Sequence, residues 1–202
     1  SVDQSAGRFE VLDGWRGISI LLVLGAHLLP LGPARLQLND MAGPAGMALF
    51  FTLSGFLITH FLLRRPDVRD FAIRRLFRIL PLVWLYTLIA LTYEGASAAT
   101  YRSHLLFYAN LPPATLTDTT AHLWSICVEV HFYAFVGLLV LLLGRRGLNV
   151  LPLVCVAVTA LRIVDGETVS IVTWHRVDEI LVGCVLALVL HRGAPLDGRY
   201  RR

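Results

Sequence analysis

Residues 123–143 read Leu-Trp-Ser-Ile-Cys-Val-Glu-Val-His-Phe-Tyr-Ala-Phe-Val-Gly-Leu-Leu-Val-Leu-Leu-Leu. A membrane-crossing helix needs about 20 predominantly apolar residues, and this run supplies them with only Glu129 and His131 as groups that charge near neutral pH. It lacks the period-two alternation of a membrane β-barrel and outruns the ~10-residue strands of that architecture, so it reads as a helix. Five further runs of the same character lie on either side: Trp15 to Leu31, Pro44 to Leu63, Phe77 to Tyr93, Leu148 to Val164 and Val169 to His191. Several are short and must borrow from their flanks. The predicted fold is an all-α, polytopic bundle of about six transmembrane helices.

The composition agrees. Of the 202 residues 56% are hydrophobic, against ~45–50% apolar content in an ordinary soluble domain, and the mean hydropathy is +0.66. All 18 basic residues are arginine. They lie in short connections between apolar runs rather than on a soluble basic face, so the net charge of +4 points to membrane topology and not to nucleic acid. With the N-terminus inside, the inner segments hold Arg8, the group Arg64, Arg65, Arg69, Arg74, Arg75 and Arg78, the pair Arg145 and Arg146, and Arg192, Arg199, Arg201 and Arg202. The outer loops hold Arg35 and Arg102. The positive-inside rule therefore predicts that both termini are cytoplasmic, in the cell's inner membrane. Cys127, Cys155 and Cys184 show neither CxxC nor Cys/His spacing, so no disulfide framework or metal site is expected. The first apolar run lacks a small-residue cleavage site, which argues against a removable signal peptide. A start at Ser1 suggests a fragment or processed product. The long outer connection from Glu94 to Ala121 is either functional or mobile. Without a repeat or low-complexity tract, residues 1–202 count as one membrane domain.

Ionisable groups inside the spans mark the chemistry. A charge at mid-membrane depth costs about 2.5 to 17 kcal/mol, so such groups face a wet cavity or a partner. Arg16 and His27 are eleven residues apart, which returns to within about 20° of one helix face at an axial separation of roughly 16 Å. Either Arg16 holds an anion and His27 serves as base or nucleophile, or Arg16 snorkels and His27 bonds a neighbouring helix. Ser54-Gly55-Phe56 offers either donors close to a ligand or a small-residue packing patch. Between the second and third runs, Arg74 and Arg78 at i,i+4 and Arg75 and Arg78 at i,i+3 display guanidinium forks suited to phosphates. The alternative is a topology signal that meets anionic lipid headgroups. In the run from His122 to Tyr133, His122 and Glu129 share a helix face, and Trp124 fits an interfacial anchor. Glu129 either binds or acts, or it pairs with a buried arginine. Arg176 and Asp178 point to different sides of a helix, so each is expected to pair with another span. They form a structural ion network or a site for polar substrate.

In chain order, these pieces resemble the acyltransferase 3 family of membrane-bound O-acyltransferases, which modify surface polysaccharides and related acceptors. The resemblance rests on Leu12-Asp13-Gly14-Trp15-Arg16-Gly17 with His27, on Leu49-Phe50-Phe51 with Ser54-Gly55-Phe56, on Arg75-Leu76-Phe77-Arg78 with Ile79-Leu80-Pro81, on the run from His122 to Tyr133, and on Arg176-Val177-Asp178 before Gly183. It implies that a cytoplasmic acyl-CoA, commonly acetyl-CoA, acts as co-substrate and gives its acyl group to a glycan hydroxyl. Carried over position by position, it implies donor binding by Arg16, Arg75, Arg78, Ser54 and Gly55. It implies His27 as base or acyl carrier with Glu129 orienting or charging the imidazole, and Trp124, Ser125, Arg176 and Asp178 as acceptor contacts or an ion network. Val130 and His131 stand where the family often has a second acid and a glutamine. Relatives usually carry more membrane helices than the six read here. Two rival readings remain: an ion-coupled transporter, whose paired broken spans are not visible, and a truncated, inactive relative.

Overall fold

The computed structural model describes residues 10–193. Among them every regular element is helical: α1 (Glu10–Leu28), α2 (Leu38–Arg64), α3 (Val68–Tyr93), α4 (Ala98–Leu105), α5 (Trp124–Leu143), α6 (Leu151–Val164), α7 (Thr173–Arg176) and α8 (Asp178–Gly193), with 3-10 turns at Ala34–Leu36, Ala121–Leu123 and Gly144–Val150. The protein is an all-α, polytopic membrane protein. Among the described residues four helical segments are long and apolar enough to cross a bilayer: Val11–Leu28, Leu38–Arg64, Val68–Tyr93 and Ala121–Val164. The last of these takes in both the fourth and fifth expected spans. Gly144, at φ +60°, breaks α5, and Gly147 closes on the Leu139 carbonyl, where a Cβ would sit 2.6 Å away. The connector thus turns back over the end of α5 before α6 begins. The sixth expected span holds α7 and the 16-residue α8. Of the arginines on which the expected orientation of the termini rests, Arg8, Arg199, Arg201 and Arg202 lie outside the described residues.

The chain folds as two compact units, described here by residues 10–60 with 179–193 and by residues 61–178. In the first, α1 and α2 run antiparallel: a Cβ on Gly43 would meet Ala26 and His27, one on Gly46 would meet Ser19 and Val23, and Arg16 lies against Phe50. Asn39 ties the two together, its Nδ2 donating to the Ala26 and Leu29 carbonyls at 2.7 and 2.6 Å while its Oδ1 accepts from Leu31 N at 3.0 Å. Pro30 and Pro33 keep α1 from continuing past Leu28. Against the other side of α2 lies α8, and the helices touch backbone to backbone. A Cβ on Gly55 would run into the Ile180 carbonyl, and one on Gly183 into the Thr52 carbonyl. Close approach of this kind is how membrane helices gain van der Waals contact where burial from water gives no drive.

The 61–178 unit is built on α3 and α5. Asp67 caps α3, its carboxylate accepting from Asp70 N at 3.0 Å, so the helix starts nine residues before the expected Phe77. The arginine-rich segment is therefore helical. Phe71 meets Tyr133 edge-on at 5.8 Å, and Val83, Phe107, Leu123 and Cys127 form the core beneath the long loop. That loop is organised rather than loose: Ser97 caps α4, Tyr86 Oη donates to the Thr119 carbonyl at 2.7 Å, and Trp84 Nε1 donates to the Leu105 carbonyl at 3.1 Å. Buried His104 stands 2.8 Å from both the Thr100 carbonyl and the Thr120 hydroxyl.

Candidate active site

In the first unit, His27 occupies the last turn of α1. α1 begins at Glu10 and stops one residue past the histidine. Its ring is exposed, with Nδ1 2.8 Å from the Val23 carbonyl oxygen. A carbonyl can only accept, so Nδ1 carries the proton. In the neutral ring Nε2 then presents its lone pair, the form that a general base or nucleophile needs. Eleven residues back along α1, half-buried Arg16 holds its Cζ 5.3 Å from the centre of the Phe50 ring. One turn past Phe50 on the same face of α2 lies Ser54, only 4% exposed. Arg16 Nε and Ser54 Oγ are both buried polar atoms without a hydrogen-bond partner among the described residues. Leaving such atoms unsatisfied is costly, and an anionic or carbonyl-bearing ligand along this stripe would satisfy them. Gly55 is different. Its open side is filled by the Ile180 carbonyl of α8, which is the packing role.

In the 61–178 unit, Arg75 is half-buried with its Cζ 5.8 Å from the Tyr133 ring centre, while Arg78 is exposed. Arg74 Nε donates to both carboxylate oxygens of Asp70 at 2.9 Å on the exposed side. Of the three guanidinium groups, Arg75 alone turns inward. Glu129 (7% exposed) and Arg176 (3%) are both buried. The Arg176 guanidinium stacks over Trp124 of α5, 5.4 Å from the ring centre, a contact the sequence reading had not paired. Ser125 Oγ donates to the His122 carbonyl at 3.1 Å in the first turn of α5. His122 itself is not on that helix. It sits in the preceding 3-10 turn, exposed, with its ring edge-on to Tyr86 at 5.2 Å, so the expected face shared with Glu129 does not form.

Asp178 pairs with another helix, as expected, and its partner is Arg162 of α6 at 2.7 Å. Arg162 was not among the sequence candidates. It also donates to the Glu167 and Thr168 carbonyls at 3.0 and 2.5 Å, and His175 Nε2 meets Asp165 at 2.8 Å. A second chain of polar contacts was missed as well: Asn110 Nδ2 donates to Thr173 Oγ1 at 2.9 Å, and that hydroxyl lies 2.7 Å from His131 Nδ1. These bonds hold α7, and with it Arg176, against α5.

The family profile of the acyltransferase domain matches residues 9–190, which takes in every motif above. The chain belongs to the acyltransferase 3 family. Among curated relatives, it is 29% identical to YrhL of Bacillus subtilis (strain 168), provisionally named a peptidoglycan O-acetyltransferase, over 88% of this chain and 33% of that protein. It is 26% identical to the O-acetyltransferase OatA of Staphylococcus aureus (strain NCTC 8325 / PS 47), over 88% of this chain and 34% of the relative. The peptidoglycan O-acetyltransferase OatA of Listeria monocytogenes (serovar 1/2a, strain EGD-e) is also 26% identical, over 88% of this chain and 33% of its own length. The chain thus spans about a third of the length of the curated relatives it matches. No solved structure matches it.

Proposed function

We propose that this acyltransferase domain takes part in transferring an acyl group, acetyl in the first instance, from an acyl-CoA to a hydroxyl of a cell-surface glycan, with peptidoglycan the leading acceptor. The observation that carries the reading is the state of His27, whose Nδ1–H is committed to the Val23 carbonyl and whose exposed Nε2 is left as the acceptor. Family membership and the O-acetyltransferase names of the relatives support the reaction class.

As a base, Nε2 removes the proton of the acceptor hydroxyl while its oxygen attacks the thioester carbonyl. The C–S bond breaks, and the imidazolium returns its proton to the departing CoA thiolate. As an acyl carrier, Nε2 attacks the thioester itself, CoA leaves, and the acceptor hydroxyl then takes the acyl group and releases a proton. In the first unit Arg16 and Ser54 supply donors for the acyl donor. In the other, Arg75 and Arg78 supply guanidinium groups for phosphates, Glu129 keeps the catalytic role that the resemblance implies, and Trp124, Ser125 and Arg176 are assigned to the acceptor.

The test is transfer of radiolabelled acetyl from acetyl-CoA to a cell-wall glycan fraction by membranes containing the protein. Wild type should label the glycan, and His27→Ala should reduce labelling by about two to four orders of magnitude, the usual worth of a base. Undiminished transfer by His27→Ala would overturn the role given to this residue.

A further inference from the structure

The arginines between α2 and α3 fall into two groups with different surroundings. Arg75 points into its helical unit and Arg74 is taken by Asp70. Arg64, Arg65 and Arg69 instead surround an open depression of about 810 Å³, lined also by Pro66, Asp67, Val68, Val140 and Leu141. All of these residues belong to the 61–178 unit. Arg145 reaches the same place from the far end of α5, its Nη2 donating to the Arg64 carbonyl at 2.9 Å. Among the described residues neither Arg65 nor Arg69 has a carboxylate partner, and Asp67 is occupied as the cap of α3.

Two features of this depression select its occupant. Its rim is cationic, with planar forks that can each grip two oxygens of a phosphate. Its floor is apolar, and from Leu141 the surface continues over Leu142 and Leu143, which are 70% and 54% exposed. A soluble anion needs only the rim. An amphiphile uses both, its charged head among the arginines and its chains along the end of α5. The position also fits, because α2 ends at Arg64 and α5 at Leu143, beside the depression, and the ends of bilayer-crossing helices are where headgroups are met.

We propose that this depression is a binding site for the phosphodiester headgroup of an acidic phospholipid, separate from the residues assigned above to the acyl donor. The same phosphate chemistry belongs to the CoA moiety, so the experiment carries an arm for each source.

The purified full chain is placed in detergent with phosphatidylglycerol and phosphatidylcholine in equal amounts, and the lipid retained after size-exclusion chromatography is quantified by mass spectrometry. Wild type should retain phosphatidylglycerol above its bulk share, and the enrichment should fall as salt is raised. Arg65→Gln with Arg69→Gln should lower that retention by roughly thirtyfold, the combined worth of two arginines beside an anionic lipid surface. Arg65→Lys with Arg69→Lys, which keeps the charge and removes the forks, should fall between the two. Excess CoA should leave the lipid in place. Absence of enrichment on wild type would overturn the proposal without reliance on any variant. So would equal retention by the Gln double variant, or displacement of the lipid by CoA, which would assign the depression to the acyl donor.

Discussion

Glu94 follows directly on the last residue of α3 and holds the far end of the outer loop, accepting from the Thr119 hydroxyl at 2.7 Å. The Thr119 hydroxyl, then that of Thr117, stabilises its carboxylate and sets its pKa below the ordinary glutamate value. A group whose folded-state pKa is depressed contributes stability that is present above its unfolded pKa and is lost as pH falls through the folded one. The anchorage of Thr119 should therefore hold at neutral pH and fail in acid, at a pH below the ordinary glutamate range. Amide protection factors at Thr117 to Thr120 should fall on acidification of wild type, and in Glu94→Gln they should be lower at neutral pH and flatter across the range. Protection in wild type that does not change with pH would contradict this. His27 shows what a sequence withholds at this scale. Its spacing from Arg16 was readable, but the tautomer is set by a carbonyl one turn back, and its exposure by where the helix stops. Arg162 is a harder case, since a partner 16 residues from Asp178 and on another helix leaves no periodic trace.

Among the elements, α2 and α8 depend most on single atoms. Gly55 and Gly183 each leave room only for a backbone carbonyl of the opposite helix. A side chain at either place meets backbone rather than a movable side-chain tip, so relaxation requires the helices to part. Gly55→Leu should lower the thermal midpoint of the detergent-solubilised protein, with a cost of about 1–3 kcal/mol or more. Gly14→Ala provides the contrast, because a Cβ there meets nothing within 4 Å and the helix gains roughly 0.5–1 kcal/mol from the loss of glycine. Equal midpoints for Gly55→Leu and wild type would remove the proposed crossing. Hydropathy located these helices but misplaced their ends. The expected third span opened at Phe77 because arginines fill the preceding turns, yet the Asp67 cap starts α3 at Val68. A helix can be polar before it enters lipid, and only its capping residue announces the start. The same cue, Ser97 ahead of Ala98-Ala99-Thr100, was available for α4 in a segment otherwise read as loop.

Across the whole chain, composition and motif order were enough to give the membrane class and the family, because both are sums over many residues and tolerate local error. Orientation is a sum of the same kind, and within the 61–178 unit the fold tests its consistency. The connections of that unit carry eight arginines in two groups, Arg64 to Arg78 and Arg145 with Arg146, against Arg102 alone in the long loop. Topology requires the two rich groups to share one side of the bilayer. The fold obliges, bringing Arg145 to the Arg64 carbonyl at 2.9 Å. At the opposite end of α3, Tyr86 meets Thr119 and His122, so the arginine-poor loop gathers there. The positive-inside rule then predicts which side is which. In a background with Cys127, Cys155 and Cys184 replaced by alanine, a membrane-impermeant maleimide should label Asp118→Cys in intact cells and Arg146→Cys only after permeabilisation. The reverse pattern would place the arginines outside, and with them the phosphate-binding side chains assigned to a cytoplasmic donor. Transfer from a cytoplasmic acyl-CoA would then have no donor site on the side where its substrate is made.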